Sequence, residues 1–214
     1  MKKLSLVVVL LTMAITTFAQ EKDVTKFLGI PVDGTKSEMI AKLKEKGYTS
    51  TSWDKDVLEG EFNGTDVYVS VVTNNNKVYR IVVRDQIEKD ESDIRIRFNK
   101  LCQQFQNNPK YISIMDFSLP EDEDISYNMA VKNKRYEAAY YQFDIERTKE
   151  KLLEKYSEEE IASPSEEVQN AIFETINNMC SHKSVWFLIT EYYGKYSIAM
   201  YYDNELNKAN GEDL

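Results

Sequence analysis

The 214 residues include one histidine, two cysteines, four prolines and seven glycines, and each scarcity removes a class of function. A lone His182 excludes multi-histidine metal sites and leaves a single imidazole as base for any serine or cysteine nucleophile. No glycine-rich phosphate loop or dinucleotide fingerprint occurs, so no cofactor is expected. Basic residues are also short, with 27 Lys and Arg against 36 Asp and Glu and a net charge of −9. No segment clusters enough of them to overcome that field, so nucleic acid and anionic membrane are discounted as partners.

Long apolar runs are scarce as well. The longest, Leu4 to Ile15, is broken only by Ser5 and Thr12 and falls short of the roughly 20 residues a membrane-spanning helix needs. It follows Lys2-Lys3 and leads to Thr17-Phe18-Ala19, which has small residues at the two positions a signal peptidase reads. Residues 1–19 are therefore predicted to be a cleaved signal peptide. The mature chain would start at Gln20 and work in the periplasm or the medium, with no membrane insertion. No cysteine follows the apolar run, which argues against a lipid anchor. Cleavage removes two lysines and no acid, leaving 25 basic residues against 36 acidic ones, or about −11. In an oxidising compartment Cys102 and Cys180 can pair as a disulfide. Each also sits on an apolar helical face, where a free cysteine behaves as a small buried hydrophobe. The sequence leaves both alternatives open.

What is present is a well-punctuated chain with 42% hydrophobic residues, enough for one sizeable core over residues 20–204. Thr35 and Glu38 form a capping box for a helix carrying Met39, Ile40 and Leu43, and Gly47 ends it. Val57 to Phe62, Val67 to Val72 and Val78 to Val83 predict an antiparallel meander turned at Asn63-Gly64 and Asn74-Asn75-Asn76. Ser92 is expected to cap a helix with Ile94, Phe98, Leu101, Cys102 and Phe105 on one face. A hairpin is predicted from Tyr127–Val131 and Tyr136–Phe143, joined by Lys132-Asn133-Lys134. Asp144 opens a charged helix, and Ser163-Pro164-Ser165-Glu166 predicts another, with the proline at its first position. Residues 144–182 read as a helical insertion. Val185–Tyr192 and Tyr196–Tyr202 predict a closing hairpin, followed by a flexible tail over 205–214. Strict strand–helix alternation is missing, so the fold class is α+β, with helices packed on a mainly antiparallel sheet. Residues 24–115 and 116–204 are candidate pseudo-repeated lobes.

The run Phe27 to Thr35 (FLGIPVDGT), the helix end Leu43 to Tyr48, Leu58 to Gly64 and Asn76 to Arg80 resemble a family of uncharacterised exported proteins of anaerobic gut bacteria. The likeness continues in Tyr127 to Tyr140 and in Asp203-Asn204, and skips roughly Asp144 to His182. Its motifs are turn glycines and core positions. A weaker, architectural likeness is to outer-membrane assembly lipoproteins and β-lactamase inhibitor proteins, although the lipidated cysteine and glycine-methionine helix entry are missing here. That likeness implies a protein-binding or assembly role more readily than catalysis, and fold analogy alone transfers no function.

The candidate chemistry is thin. His182 stands where a helix ends, beside Cys180 and Ser181, and serves better as a cation at the helix terminus than as a base. Glu121 to Asp124 lack the glycine of a calcium loop and read as a solvated turn. Asp203 and Glu205 could flank a glycosidic bond, but an acidic chain offers many such pairs. The fourteen tyrosines are the most suggestive feature. Tyr192, Tyr196 and Tyr202, on strands whose faces the sequence does not assign, are the candidate ligand surface for a protein, peptide or glycan, against cross-strand packing as the plainer alternative. The expected function is a non-enzymatic binding or interaction domain of the cell envelope. A carboxylate-dependent hydrolase and an inhibitor of a secreted enzyme are the alternatives.

Overall fold

The computed structural model describes residues 23–209. The predicted signal peptide, its expected cleavage after Ala19 and the last residues of the tail lie outside the described residues. In chain order the elements are β1 (Lys26–Phe27), β2 (Ile30–Pro31), α1 (Lys36–Glu45), β3 (Thr49–Ser50), β4 (Val57–Phe62), β5 (Thr65–Asn74) and β6 (Lys77–Asp85). There follow α2 (Glu91–Gln106), β7 (Tyr111–Ile112), α3 (Ile125–Lys132), β8 (Glu137–Gln142), α4 (Ile145–Leu153), α5 (Glu158–Ala162) and α6 (Glu166–Cys180). A hairpin of β9 (Ser184–Tyr192) and β10 (Lys195–Asp203) and a 3₁₀ turn, Glu205–Asn207, complete the described chain.

The fold is α+β. An antiparallel eight-stranded sheet runs in the order β3-β4-β5-β6-β10-β9-β8-β7, and β1 and β2 form a separate hairpin. The order is symmetric about the β6–β10 pair. On each side of it a helix leads into four strands, α1 then β3 to β6, and α2 then β7 to β10. The two units thus divide before α2 rather than at residue 115, and they share one sheet. The second unit carries the insertions: α3 between β7 and β8, and α4 to α6 between β8 and β9.

Alternation sends one set of side chains to a buried face. Leu58, Val69, Val83, Met200, Phe187 and Ala138 stand in register across six strands, all buried. On them pack Met39 and Leu43 from α1 and Ile94, Phe98, Leu101 and Phe105 from α2, whose apolar residues recur every three or four positions. Phe98 meets Phe187 edge-on at 5.1 Å, and Phe105 stacks on Tyr140 at 4.5 Å. On the opposite face the corresponding row is Val57, Ser70, Val82, Tyr201, Trp186 and Ala139, each partly exposed. There Trp186 stacks on Tyr201 at 4.1 Å with Arg80 against both rings. Asp203 accepts two bonds from Arg80, at 2.5 and 2.6 Å, and one from the Trp186 indole at 3.0 Å.

Local punctuation explains most element ends. The Thr35–Glu38 capping box is formed, and Gly47, with φ of +97°, lets the Tyr48 amide return to the Leu43 carbonyl. The Tyr48 ring then lies on Gly60, where any β-carbon would come within 2.8 Å of it. Four sequence expectations are corrected. Residues 125–132 form a helix instead of a strand, because Asp124 caps the Tyr127 amide and Asn133 ends the helix in the left-handed region. Asp90, not Ser92, caps α2. Ser165 caps α6, so Pro164 precedes the cap instead of opening the helix. The chain after Asp203 is pinned, not frayed, through Asn207: its amide bonds Asp33 and the Val78 carbonyl. A Ser157–Glu160 capping box that the sequence reading passed over starts α5.

Candidate functional site

A trough lies on the helical side of the sheet, built from segments far apart in sequence. Its inner arm, about 380 Å³, lies between the β4–β5 turn and the C-terminal half of α2, lined by Phe62, Leu101, Phe105 and Met200. Asn63 bonds Gln104 at 2.7 Å and ties those two walls together. The outer arm, about 780 Å³, runs past the chain after α2 to the start of α4, lined by Lys110, Phe143, Ile145 and Arg147. Leu28, Phe62, Asn108, Tyr111 and Tyr202 border both arms. These dimensions suit a small ligand or a short apolar segment.

The walls are held rigidly. Gln142 receives the Lys26 amide at 2.7 Å and donates to the Lys26 carbonyl at 2.6 Å and to the Tyr111 hydroxyl at 3.2 Å. This one side chain clamps the β1–β2 hairpin to the edge of the large sheet. Thr25 donates to the Asp203 carbonyl, and Asn204 to the Val32 carbonyl at 2.8 Å, securing the hairpin's other side. At the floor, burial pushes the Tyr202 and Tyr111 phenols above their ordinary range, so both stay protonated.

Leu28 sits at the hairpin tip with φ of +52°, followed by Gly29 at +79°. This left-handed pair favours Asn or Gly at its first position. The chain uses asparagine in the same role at Asn63 and Asn75. A leucine here carries strain and places its apolar side chain over both arms of the trough.

The mouth is electropositive for a chain of net charge −9. Lys26, Lys110, Arg147 and Lys183 line it against Asp23 and Asp144. Asp23 is shared by Lys183 at 2.9 Å and Arg147 at 3.3 Å, and Asp144 caps α4. Lys110 has no carboxylate partner among the described residues.

The tyrosines proposed from sequence do not gather into one surface. Tyr196 and Tyr202 are each only 4% exposed, whereas Tyr192 is 67% exposed. Tyr196 faces the core and shares a hydrogen bond with Ser126 at 2.8 Å, and Tyr202 forms part of the trough floor. Tyr192 is instead paired with its neighbour Tyr193, 87% exposed, at the tip of the β9–β10 hairpin. That tip repeats the Leu28 pattern, with Tyr193 at φ of +49° before Gly194 at +73°.

Cys102 and Cys180 are not joined: both are free and buried. Cys102 points into the core from α2, and its thiol is pushed up to about 11 by burial. Cys180 ends α6 beside Lys183, and its thiol is likewise raised by burial. His182 bonds the Asp23 carbonyl through Nε2 at 2.5 Å, a tether for the start of the described chain rather than a base for Cys180 or Ser181. Two acids of the loop are engaged locally: Asp124 caps α3, and Glu123 accepts from Lys134, Tyr136 and Asn128, while Glu121 and Asp122 are exposed. No group of three or more metal-ligating side chains occurs among the described residues. Asp203 is held by Arg80 and Trp186, and Glu205 by Lys208 and Ser184, so that pair faces no common substrate position.

Sequence reasoning missed Leu28, Phe62, Phe105, Lys110 and Tyr111. The one clue available beforehand was a leucine before Gly29, where a tight turn calls for asparagine. The chain matches no family model, no curated protein and no solved structure.

Proposed function

We propose that this chain is an exported, non-enzymatic binding domain whose ligand seats in the trough. The observation that carries this is the pairing of a preformed, rigidly clamped concavity with a strained leucine held over it. Strain at Leu28 costs stability that an asparagine would recover, and its side chain borders both arms of the trough. The hydrolase alternative asks for a carboxyl raised in its pKa inside a pocket. The carboxylates bordering the trough are Glu61, Asp23 and Asp144; Asp23 is shared by Lys183 and Arg147, and Asp144 caps α4.

Native mass spectrometry of the protein taken gently from its own envelope or medium tests the proposal. A non-covalent adduct is expected, and it should be lost in Phe62→Asp with the circular dichroism spectrum kept. A bare polypeptide mass in every preparation would overturn it. The inhibitor reading keeps one specific support, the Tyr192–Tyr193 tip, which projects two aromatic rings on a tight turn.

A further inference from the structure

The two ends of the large sheet are closed differently. At one end β3 lies against the middle of β4, with Thr49 opposite Glu59 and Ser50 opposite Leu58. The carbonyls on either side are taken as well: the Thr51 amide bonds that of Val57 at 2.9 Å, and the Tyr48 hydroxyl bonds that of Glu61 at 3.0 Å. At the other end β7 covers only the last residues of β8, with Tyr111 opposite Gln142 and Ile112 opposite Tyr141. From Glu137 to Tyr140 no strand lies on that side of β8. The register tells which groups are left bare. The Ile189 amide bonds the Tyr136 carbonyl, and the Gln142 amide bonds the Lys183 carbonyl, so the even-numbered residues of β8 turn their backbone groups toward β9. Glu137 and Ala139 turn theirs away from it, and the N–H and C=O of both have no partner among the described residues.

We propose that this free edge of β8 takes an extended peptide as an added strand. Had β7 continued, Ile114 would stand opposite Ala139, but the chain leaves the edge at Ser113, whose hydroxyl bonds the Met115 carbonyl at 3.1 Å. It then drops to the helical side, where Phe117 packs edge-on against Tyr140 at 5.7 Å. Ile114 and Met115 are left 85% and 56% exposed just beyond β7, an apolar flank for alternate side chains of the incoming strand. A polypeptide in β conformation presents a donor and an acceptor on one edge at every second residue, the spacing that meets Ala139 and Glu137 together. Arg135 and Glu137 neutralise each other at 3.0 Å, so the gap asks for no charge in that strand. A second copy of this chain does not fit through its own β8. Antiparallel pairing through Glu137 and Ala139 would bring Arg135 of each copy onto the place that Ile112 holds beside Tyr141 of the other. The edge is separate from the trough, and the two proposals stand or fall independently.

Fluorescence anisotropy with a labelled, end-blocked peptide of alternating threonine and valine, together with residue-resolved amide exchange, tests the proposal on the whole protein. In the free protein the amides of Glu137 and Ala139 should exchange much faster than those of Ala138 and Tyr140, and saturating peptide should slow those two. A peptide N-methylated at alternate residues keeps one bonding edge and should still bind. One N-methylated at every residue is no less apolar but has no donors, and should bind at least about tenfold more weakly. Ala139→Pro removes an outward donor at an edge position that accommodates proline, and should weaken the unmodified peptide about tenfold with the melting temperature kept. Should that variant fail to fold, the methylated series on the unsubstituted protein decides alone. Equal binding of the fully methylated peptide, unchanged binding by a folded Ala139→Pro protein, protection confined to other residues, or no binding of the unmodified peptide would overturn the proposal.

Discussion

At the scale of single residues, two turn positions stand out because they resist the usual chemistry. An L-residue in the left-handed region suffers a clash between its β-carbon and the following carbonyl, and asparagine relieves part of it by local hydrogen bonding. Tyr193 occupies such a position while almost fully exposed, so little packing opposes a change there. Tyr193→Asn is therefore expected to stabilise the protein by about 1 kcal/mol, read as a shift of the urea midpoint with unchanged slope. A loss of stability would mean that the tyrosine pair contributes more than its contacts suggest. The cysteines give a second residue-scale prediction. Both thiols are buried and raised in pKa, Cys102 to about 11, and only the thiolate attacks a disulfide reagent. Ellman's reagent at mildly alkaline pH should find neither thiol in the native protein, and both in denaturant without reductant. No thiol under the second condition would mean that the pair had been oxidised.

At the scale of elements, α3 has little apolar anchorage of its own. It is short, with Ile125 as its one buried side chain, and it is held at both ends by carboxylates. Glu91 accepts from the Ile125 amide and the Ser126 hydroxyl, while Glu123 accepts from Lys134, Tyr136 and Asn128. Hydrogen bonds hold both carboxyls below their ordinary range, Glu91 chiefly through Ser126 and Glu123 chiefly through Lys134. A depressed carboxyl contributes its stabilisation fully above the unfolded value of about 4.3 and loses it as pH falls through the folded value. Amide exchange over residues 125–136 should thus accelerate below about pH 4, before the central strands respond. Exchange that stayed uniform down to acid unfolding would contradict this. The same helix marks the limit of what the sequence disclosed. The meander β4–β6 was legible from Asn-Gly turns and β-branched runs, and α1 and α2 from their caps and apolar spacing. Tyr127–Val131 looked like a strand because a short, mostly apolar run with an aromatic and a β-branched end does not separate strand from helix, and the deciding feature was one capping aspartate in a run of four acids. Ser157–Glu160 was missed because α5 has no apolar stripe to announce it.

At the scale of the whole molecule, the trough was illegible because each wall comes from a different segment, Leu28, Phe62, Phe105, Tyr111 and Tyr202 among them. Strand alternation groups side chains by face but cannot tell which face a helix will cover. Tyr196 and Tyr202 were therefore unassignable until α1 and α2 were placed. The same assembly predicts how the molecule unfolds. Within the large sheet the two helix-plus-four-strand units pair through β6 and β10, and there Arg80 of one unit holds the buried Asp203 of the other. Each unit also carries one tryptophan, Trp53 before β4 and Trp186 on β9. If the sheet is one cooperative unit, W53F and W186F, each reporting from the remaining indole, should unfold at the same urea midpoint once corrected for their own stability change. Arg80→Met leaves Asp203 buried without its cation and should cost about 3 kcal/mol, lowering both midpoints together. If the units instead fold separately, the Arg80 substitution would split the two signals, with the second unit unfolding first because its aspartate is the stranded group. The shared midpoint is the expected result, because the buried row from Leu58 to Ala138 crosses the β6–β10 junction without a polar break.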